Sequence, residues 1–204
     1  MKTLTVYPDS INSRAIDDAV RILRDGGIVI YPTDTIYALG CNALDNRAVE
    51  RLCRLKGINP DKHLLSIVCS SLSQAAEYAK IDNRAFRLLK ENLPGPFTFI
   101  LPAQNSLPKV FKGRKTVGIR IPDHPVALAL AEALGAPVAS TSVAIDEDES
   151  DDARHADSLA LRYGHDADLV IDSGEGGIEP STIVDLLDSS APEVVRQSSF
   201  EIEL

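Results

Sequence analysis

Short apolar runs alternate with amphipathic stretches along the whole chain, and that alternation predicts an interleaved series of strands and helices. Residues 13–25 carry Ile16, Ala19, Val20 and Leu23 at helical spacing and stop at Gly26-Gly27. The run Ile28-Val29-Ile30-Tyr31 follows at once and reads as a buried strand closed by Pro32. Asn46 is placed to cap a second helix with Val49, Leu52 and Cys53 on its inner face, ending near Lys56-Gly57. Leu64 to Val68 reads as the next strand, and helical patterns over 72–79 and 83–92 precede the break Pro94-Gly95-Pro96. Strands are predicted at 97–101 and 117–121, on either side of a basic loop. Pro125 then opens a helix to Leu134 with Gly135 as its cap. Further short strands are expected at 137–140, 169–171, 182–186 and 194–196. The pattern predicts an α/β fold, one domain over residues 1–204 with a single twisted mixed sheet flanked by helices.

Composition narrows the class. With 204 residues and 44% hydrophobic content the chain can bury a core without disulfide or metal staples. Its 21 basic and 30 acidic residues give a net charge of −9, which argues against nonspecific nucleic-acid packaging. A local basic groove is still allowed, because clustering matters more than the total. Cys41, Cys53 and Cys69 are odd in number and form no Cys-x-x-Cys pair, so they read as buried thiols of a reducing compartment. The opening residues lack the apolar core of a signal peptide, and no apolar run reaches the ~20 residues of a membrane helix. A soluble, cytoplasmic protein without membrane contact is expected. The acidic run 146–152 lacks the glycine and spacing of a calcium loop and reads as a solvated loop, so no metal site is expected.

Common enzyme signatures fail. No Gly-x-x-x-x-Gly-Lys-Ser/Thr loop is present, and Gly174-Glu175-Gly176-Gly177 precedes a strand and reads as a turn. Ser140-Thr141-Ser142 is not a hydrolase elbow, and His63, His124, His155 and His165 lack ligand spacing. What stays unexplained is a set of polar residues at strand ends.

Those residues carry a resemblance. The stretch from Gly26 to Gly40, with Pro32-Thr33-Asp34-Thr35-Ile36-Tyr37-Ala38-Leu39-Gly40 at its end, resembles the opening signature of the YrdC/YciO family. Leu93-Pro94-Gly95-Pro96-Phe97-Thr98 is similar to its Pro-Gly-Pro-x-Thr turn, and Thr116 to Pro125 to its arginine strand. Ser140-Thr141-Ser142 and Pro180-Ser181-Thr182-Ile183 match its last two signatures, in order, over nearly the whole chain. The resemblance implies a concave, positively charged cleft and the activity of a threonylcarbamoyl-AMP synthase. Such an enzyme joins L-threonine, bicarbonate and ATP into threonylcarbamoyl-adenylate with release of pyrophosphate, for modification of a tRNA adenosine. It assigns Thr33, Arg120, Thr141 and Ser181 to threonine. Lys56, Thr116, Ser142 and Arg196 fall to the nucleotide, with Lys56 the catalytic cation at the phosphates and Arg196 farther out. Lys62 is added to them as a further phosphate contact, on its place in the chain rather than by the resemblance. ATP, with magnesium as its companion ion, is then a substrate, and no tightly bound cofactor is implied.

Two departures stand out. Active synthases carry Lys-x-Arg and Ser-x-Asn where this chain has Lys56-Gly57-Ile58 and Ser142-Val143-Ala144. Val68 stands about where some members place a histidine. The lost guanidinium removes a charge-assisted bond worth roughly 1.5–3 kcal/mol, for which Lys62 is a better substitute than Arg54. These losses, with Cys41 after an Ala38-Leu39-Gly40 turn, resemble the YciO branch. The alternative is an impaired YciO-type paralogue that binds nucleotide or double-stranded RNA. Lys109, Lys112, Arg114 and Lys115 could then track a phosphate backbone, although a solvated loop is their plainer reading.

Overall fold

A computed structural model describes the chain except for residues 60–62, 64, 113–114, 146–150 and 203. Lys62, Arg114 and most of the acidic run therefore lie outside the described residues. The elements run β1 (Lys2–Thr5), α1 (Ser13–Arg24), β2 (Val29–Tyr31), β3 (Ala38–Asn42), α2 (Asn46–Lys56), β4 (Ser66–Val68), α3 (Leu72–Tyr78) and α4 (Asn83–Asn92). They continue β5 (Phe97–Pro102), α5 (Lys109–Lys112), β6 (Thr116–Arg120), α6 (Pro125–Leu134), β7 (Val138–Ser142), α7 (Ala156–Arg162), β8 (Leu169–Asp172), β9 (Thr182–Asp185) and β10 (Glu193–Arg196).

Local chemistry sets the boundaries. Asn12 caps α1 by accepting the Arg14 N–H. The cap of α2 is Asp45, one residue before the expected Asn46; its carboxylate accepts the Arg47 and Ala48 N–H groups, and Gly57 closes the helix at φ +64°. All ten strands join one mixed sheet in the order β1-β8-β2-β3-β7-β4-β6-β5-β9-β10. Ala38-Leu39-Gly40, expected as a turn, is instead the start of β3, antiparallel to both β2 and β7. The strand tolerates small residues because its neighbours fill the space. A Cβ at Gly40 would stand 2.6 Å from the Tyr31 ring and 2.6 Å from a Val138 methyl. Gly40→Ala is therefore expected to cost about 1–3 kcal/mol, read as a lower urea midpoint. An unchanged midpoint would mean that Tyr31 moves freely.

Two cores flank the sheet. The larger joins α2, α3, α4 and α7 to residues such as Leu39, Ile67, Phe99 and Ile119. The smaller joins α1 and α6 to Val29, Tyr31, Val68, Val138 and Leu169, and it includes no residue of β5, β6, β9 or β10. Half of one sheet face is thus left without a helix over it. On that face the register aligns Ser140, Ser66 and Gly118 across three strands, all small, so their row forms a depression. The architecture leaves room for a ligand there.

His124 ties the bare half to the covered half by capping α6. Its Nδ1 accepts the Val126 N–H at 3.3 Å, which requires a neutral ring. Burial holds the ring's pKa below its ordinary value and outweighs the nearby Asp34 and Asp123 carboxylates. Folding favours the neutral form, so the cap's contribution is complete above about pH 6.5 and is lost as pH falls through the lowered value. Thermal midpoints should fall more steeply on acidification in the wild type than in His124→Asn, which caps without titrating. Equal slopes would show that the cap does not titrate in this range.

Candidate active site

Arg120 ends β6 at the lip of the bare face, and its burial dictates its partners. An arginine taken out of water needs a counter-charge, and Asp34 supplies it at 2.9 Å with both side chains under 10% exposed. Arg120 Nη2 donates to Asp34 Oδ1 and, at 3.0 Å, to Thr35 Oγ1. The other carboxylate oxygen accepts the Asp123 N–H. Arg120 Nε is buried with no hydrogen-bond partner among the described residues. A buried orphan donor is costly, and here it belongs to a residue that lines a hollow.

That hollow is small, about 170 Å³, and mostly polar. Of the residues expected from sequence, it brings together Arg120, Thr141, Ser142, Ser181 and Arg196. Ser66, Thr98, Ser140 and Ile183 complete the wall and were not expected. Thr98 and Ser181 share a hydroxyl hydrogen bond at 2.8 Å. Tyr31 donates to Ser140 Oγ at 2.7 Å, and burial pushes the Tyr31 pKa up to about 12, so it remains a donor. Ser140, with its acceptor side occupied, can direct its own proton elsewhere.

The remaining expected residues divide. Lys56, the last residue of α2, donates to the Ser142 carbonyl at 2.8 Å and so reaches the rim of the hollow. Thr116 shares a sheet face with Gly118 and Arg120 by alternation but starts the strand that Arg120 ends, so it lies outside the hollow. Thr33 also lies outside. Its hydroxyl donates to the Ile36 carbonyl and accepts the Thr35 N–H, holding the turn that presents Asp34 and Thr35 to Arg120. Arg196, expected farther out with the nucleotide, sits within the hollow beside Ser181. Val68 is fully buried in the smaller core and offers the hollow no polar group.

A larger hollow of about 360 Å³ lies near α5, lined by Lys80, Leu107, Phe111 and Lys115 among others. Its charged groups are exposed lysines, and no buried polar group converges on it, so the chemistry favours the smaller one. Part of the stretch expected as a basic loop is instead the short helix α5 (Lys109–Lys112), and Lys109 and Lys115 are solvent-exposed. The three cysteines are free and buried, with the Cys69 thiol pushed up to about 12 by burial. Asp151, His155 and Glu175 gather at the surface, but Arg154 pairs with both carboxylates and offsets one of their two charges. Among the described residues no helix is long and apolar enough to cross a membrane.

An open mixed sheet with half of one face bare, and a buried arginine in a largely hydroxyl-lined hollow there, defines an α/β protein with a hollow whose chemistry suits a small anion. Comparison with known proteins makes this specific. The Sua5_yciO_yrdC family, described as telomere recombination, matches residues 21–198. The uncharacterised YciO of Escherichia coli is 40% identical over 200 residues, 97% of this chain and 96% of its own length. The crystal structure of E. coli YciO superposes with a TM-score of 0.89 over 98% of each chain. A threonylcarbamoyl-AMP synthase of Pyrococcus abyssi is 36% identical over 91% of this chain and 54% of its own. The crystal structure of P. abyssi Sua5 complexed with L-threonine matches at a TM-score of 0.84 and 32% identity, over 97% of this chain and 58% of that one. This chain belongs to the Sua5/YciO/YrdC family.

Proposed function

We propose that the hollow binds L-threonine and that the chain is a threonylcarbamoyl-AMP synthase. The observation that carries this reading is buried Arg120, with an unspent Nε, in a hollow lined mainly by hydroxyls and a second arginine. A carboxylate supplies the acceptor that Nε lacks. Two relatives support the ligand and the chemistry: one bears the name of that synthase, and one was solved with L-threonine.

On this reading Arg120, Thr141 and Ser181 hold the amino acid, and Thr33 acts by fixing the turn that orients Arg120. ATP lies along the bare face toward Thr116 and Ser142, with Lys56 and Lys62 at its phosphates and magnesium accompanying it. Threonine becomes a carbamate, whose oxygen attacks the α-phosphorus in line as the bond to pyrophosphate breaks. The protein supplies little covalent chemistry, so placement and charge neutralisation carry the rate. The adenylate serves tRNA modification in the cytoplasm.

The test is pyrophosphate release in mixtures that omit threonine, bicarbonate or ATP in turn. Release that needs all three supports the synthase. Nucleotide or double-stranded RNA binding without turnover would select the impaired-paralogue reading instead.

A further inference from the structure

Every polar group of Thr35 has a partner. Its N–H donates to Thr33 Oγ1 at 3.1 Å, and its hydroxyl meets Thr33 Oγ1 at 3.0 Å while accepting from Arg120 Nη2. Its carbonyl accepts the Gly177 N–H at 2.9 Å, and that contact comes from outside the turn. Gly174-Glu175-Gly176-Gly177 lies over the turn as a strap between β8 and β9, and runs on through Pro180 to Ser181 in the hollow. Bare backbone makes the contact possible. A Cβ at Gly176 would stand 2.5 Å from the Tyr37 ring, and one at Gly177 2.5 Å from the Thr35 carbonyl oxygen.

Three glycines in four residues carry a large conformational entropy, so the strap stays in place only if something ties it down. Tyr37 ties its start: the phenol donates to the Gly174 carbonyl at 2.7 Å and accepts the Ser173 N–H at 3.1 Å. Arg154, just before α7, ties the rest. Its carbonyl accepts the Gly176 N–H at 2.8 Å, its Nε donates to the Gly176 carbonyl at 3.0 Å, and its Nη2 pairs with Glu175. One residue thus holds both backbone groups of Gly176, immediately before the glycine that touches Thr35. Arg154 itself is not part of the hollow's wall.

We propose that Arg154 is a positioning residue of this site: it holds the strap on the Thr35 carbonyl, and Thr35 in turn aims the Arg120 guanidinium. The chain of contacts is continuous, from Arg154 through Gly176 and Gly177 to Thr35 and then to Arg120. Arg120 spends Nη2 on Asp34 and Thr35 and leaves Nε for the ligand, so a tilt of the plane moves the very group that is free to bind. The inference rests on the threonine reading for its ligand; the coupling of Arg154 to Arg120 is readable without one.

Each arginine gives its own Nε–Hε signal in proton–nitrogen NMR, and the signal missing from Arg120→Lys is that of Arg120. Arg154→Ala removes the tie, whereas Gly177→Ala pushes a methyl group against the Thr35 carbonyl and lifts the strap from its other side. Both variants are expected to shift or broaden the Arg120 signal and to weaken L-threonine binding in calorimetry by about three- to tenfold. The double variant should bind no more weakly than the worse single one, because both act through one contact. An unmoved Arg120 signal in folded Arg154→Ala overturns the proposal, and so do additive losses or wild-type threonine affinity in that variant. Wild type that binds no threonine overturns the function reading, and the Arg120 signal then still decides the coupling. If Arg154→Ala fails to fold in a thermal melt, Arg154→Lys carries the test. It keeps the charge beside Glu175 but lacks the fork that also reaches Gly176, so the Arg120 signal should still move, and a signal at its wild-type position overturns the proposal.

Discussion

Lysine at position 120 should weaken L-threonine binding by about ten- to a hundredfold while leaving the fold intact. Proton counting gives the reason. Arginine has five N–H protons; Asp34 and Thr35 take two of them, and three remain for a ligand. A lysine ammonium has three, and the same two partners would leave one. Calorimetry on Arg120→Lys reads this directly, and wild-type affinity would remove Arg120 from the site. Arg120→Met tests the fold instead. It strands the Asp34 carboxylate, 9% exposed, without a counter-charge, at a cost of about 3–5 kcal/mol. Adding Asp34→Asn should recover most of that loss in urea, because the stranded charge is then gone. A double variant no more stable than Arg120→Met would show that the pair is not the source of the loss.

The strands with strong apolar runs were legible from sequence because both of their faces are buried. Leu169, Val170 and Ile171 in β8 are all fully buried, as a strand with parallel neighbours on both sides requires. β3 was not legible, since Ala38, Gly40 and Cys41 carry little apolar signal of their own; the Tyr31 ring and Val138 supply the bulk that makes the strand pack. α7 escaped for a similar reason, with only Ala156 and Leu159 buried and no side-chain cap at His155.

The site divides along the same line. Arg120, Thr141, Ser142 and Ser181 stand in recognisable motifs, and the structure brings them to one hollow. Thr98 and Ser140 stand within two of the quoted signatures, yet neither signature said that their hydroxyls would line the hollow, and Ser66 stands singly inside its strand, where a lone hydroxyl has no spacing to betray it. Thr98 is 2% exposed between Phe97 and Phe99, and only the structure shows that its buried hydroxyl meets Ser181. The Asp34 partnership with Arg120 spans 86 residues and needed the fold to appear. The place of Arg196 likewise follows from β10 pairing, which no local pattern announces.

The two departures from active synthases follow one shared contact. Lys56 donates to the Ser142 carbonyl, so the end of α2 abuts the end of β7, and Ile58 and Ala144 each follow that contact by two residues. Both changes thus stand beside the same Lys56–Ser142 contact. Ile58→Arg with Ala144→Asn is expected to raise threonine- and bicarbonate-dependent pyrophosphate release by about one to two powers of ten. The arginine adds a fixed positive fork at the phosphate side, and the asparagine adds a neutral donor and acceptor. The backbone at both positions should survive the change. The Ile58 N–H donates to the Cys53 carbonyl, the Ala144 N–H to Tyr163 Oη, and Arg162 donates to the Ala144 carbonyl, none of which involves the replaced side chains. Ile58 itself packs partly buried against the larger core, so a thermal melt must first show that the new guanidinium has found water or phosphate rather than an apolar wall. A folded double variant that binds ATP and threonine yet turns over nothing would place the chain outside synthase chemistry, with its hollow kept for binding alone.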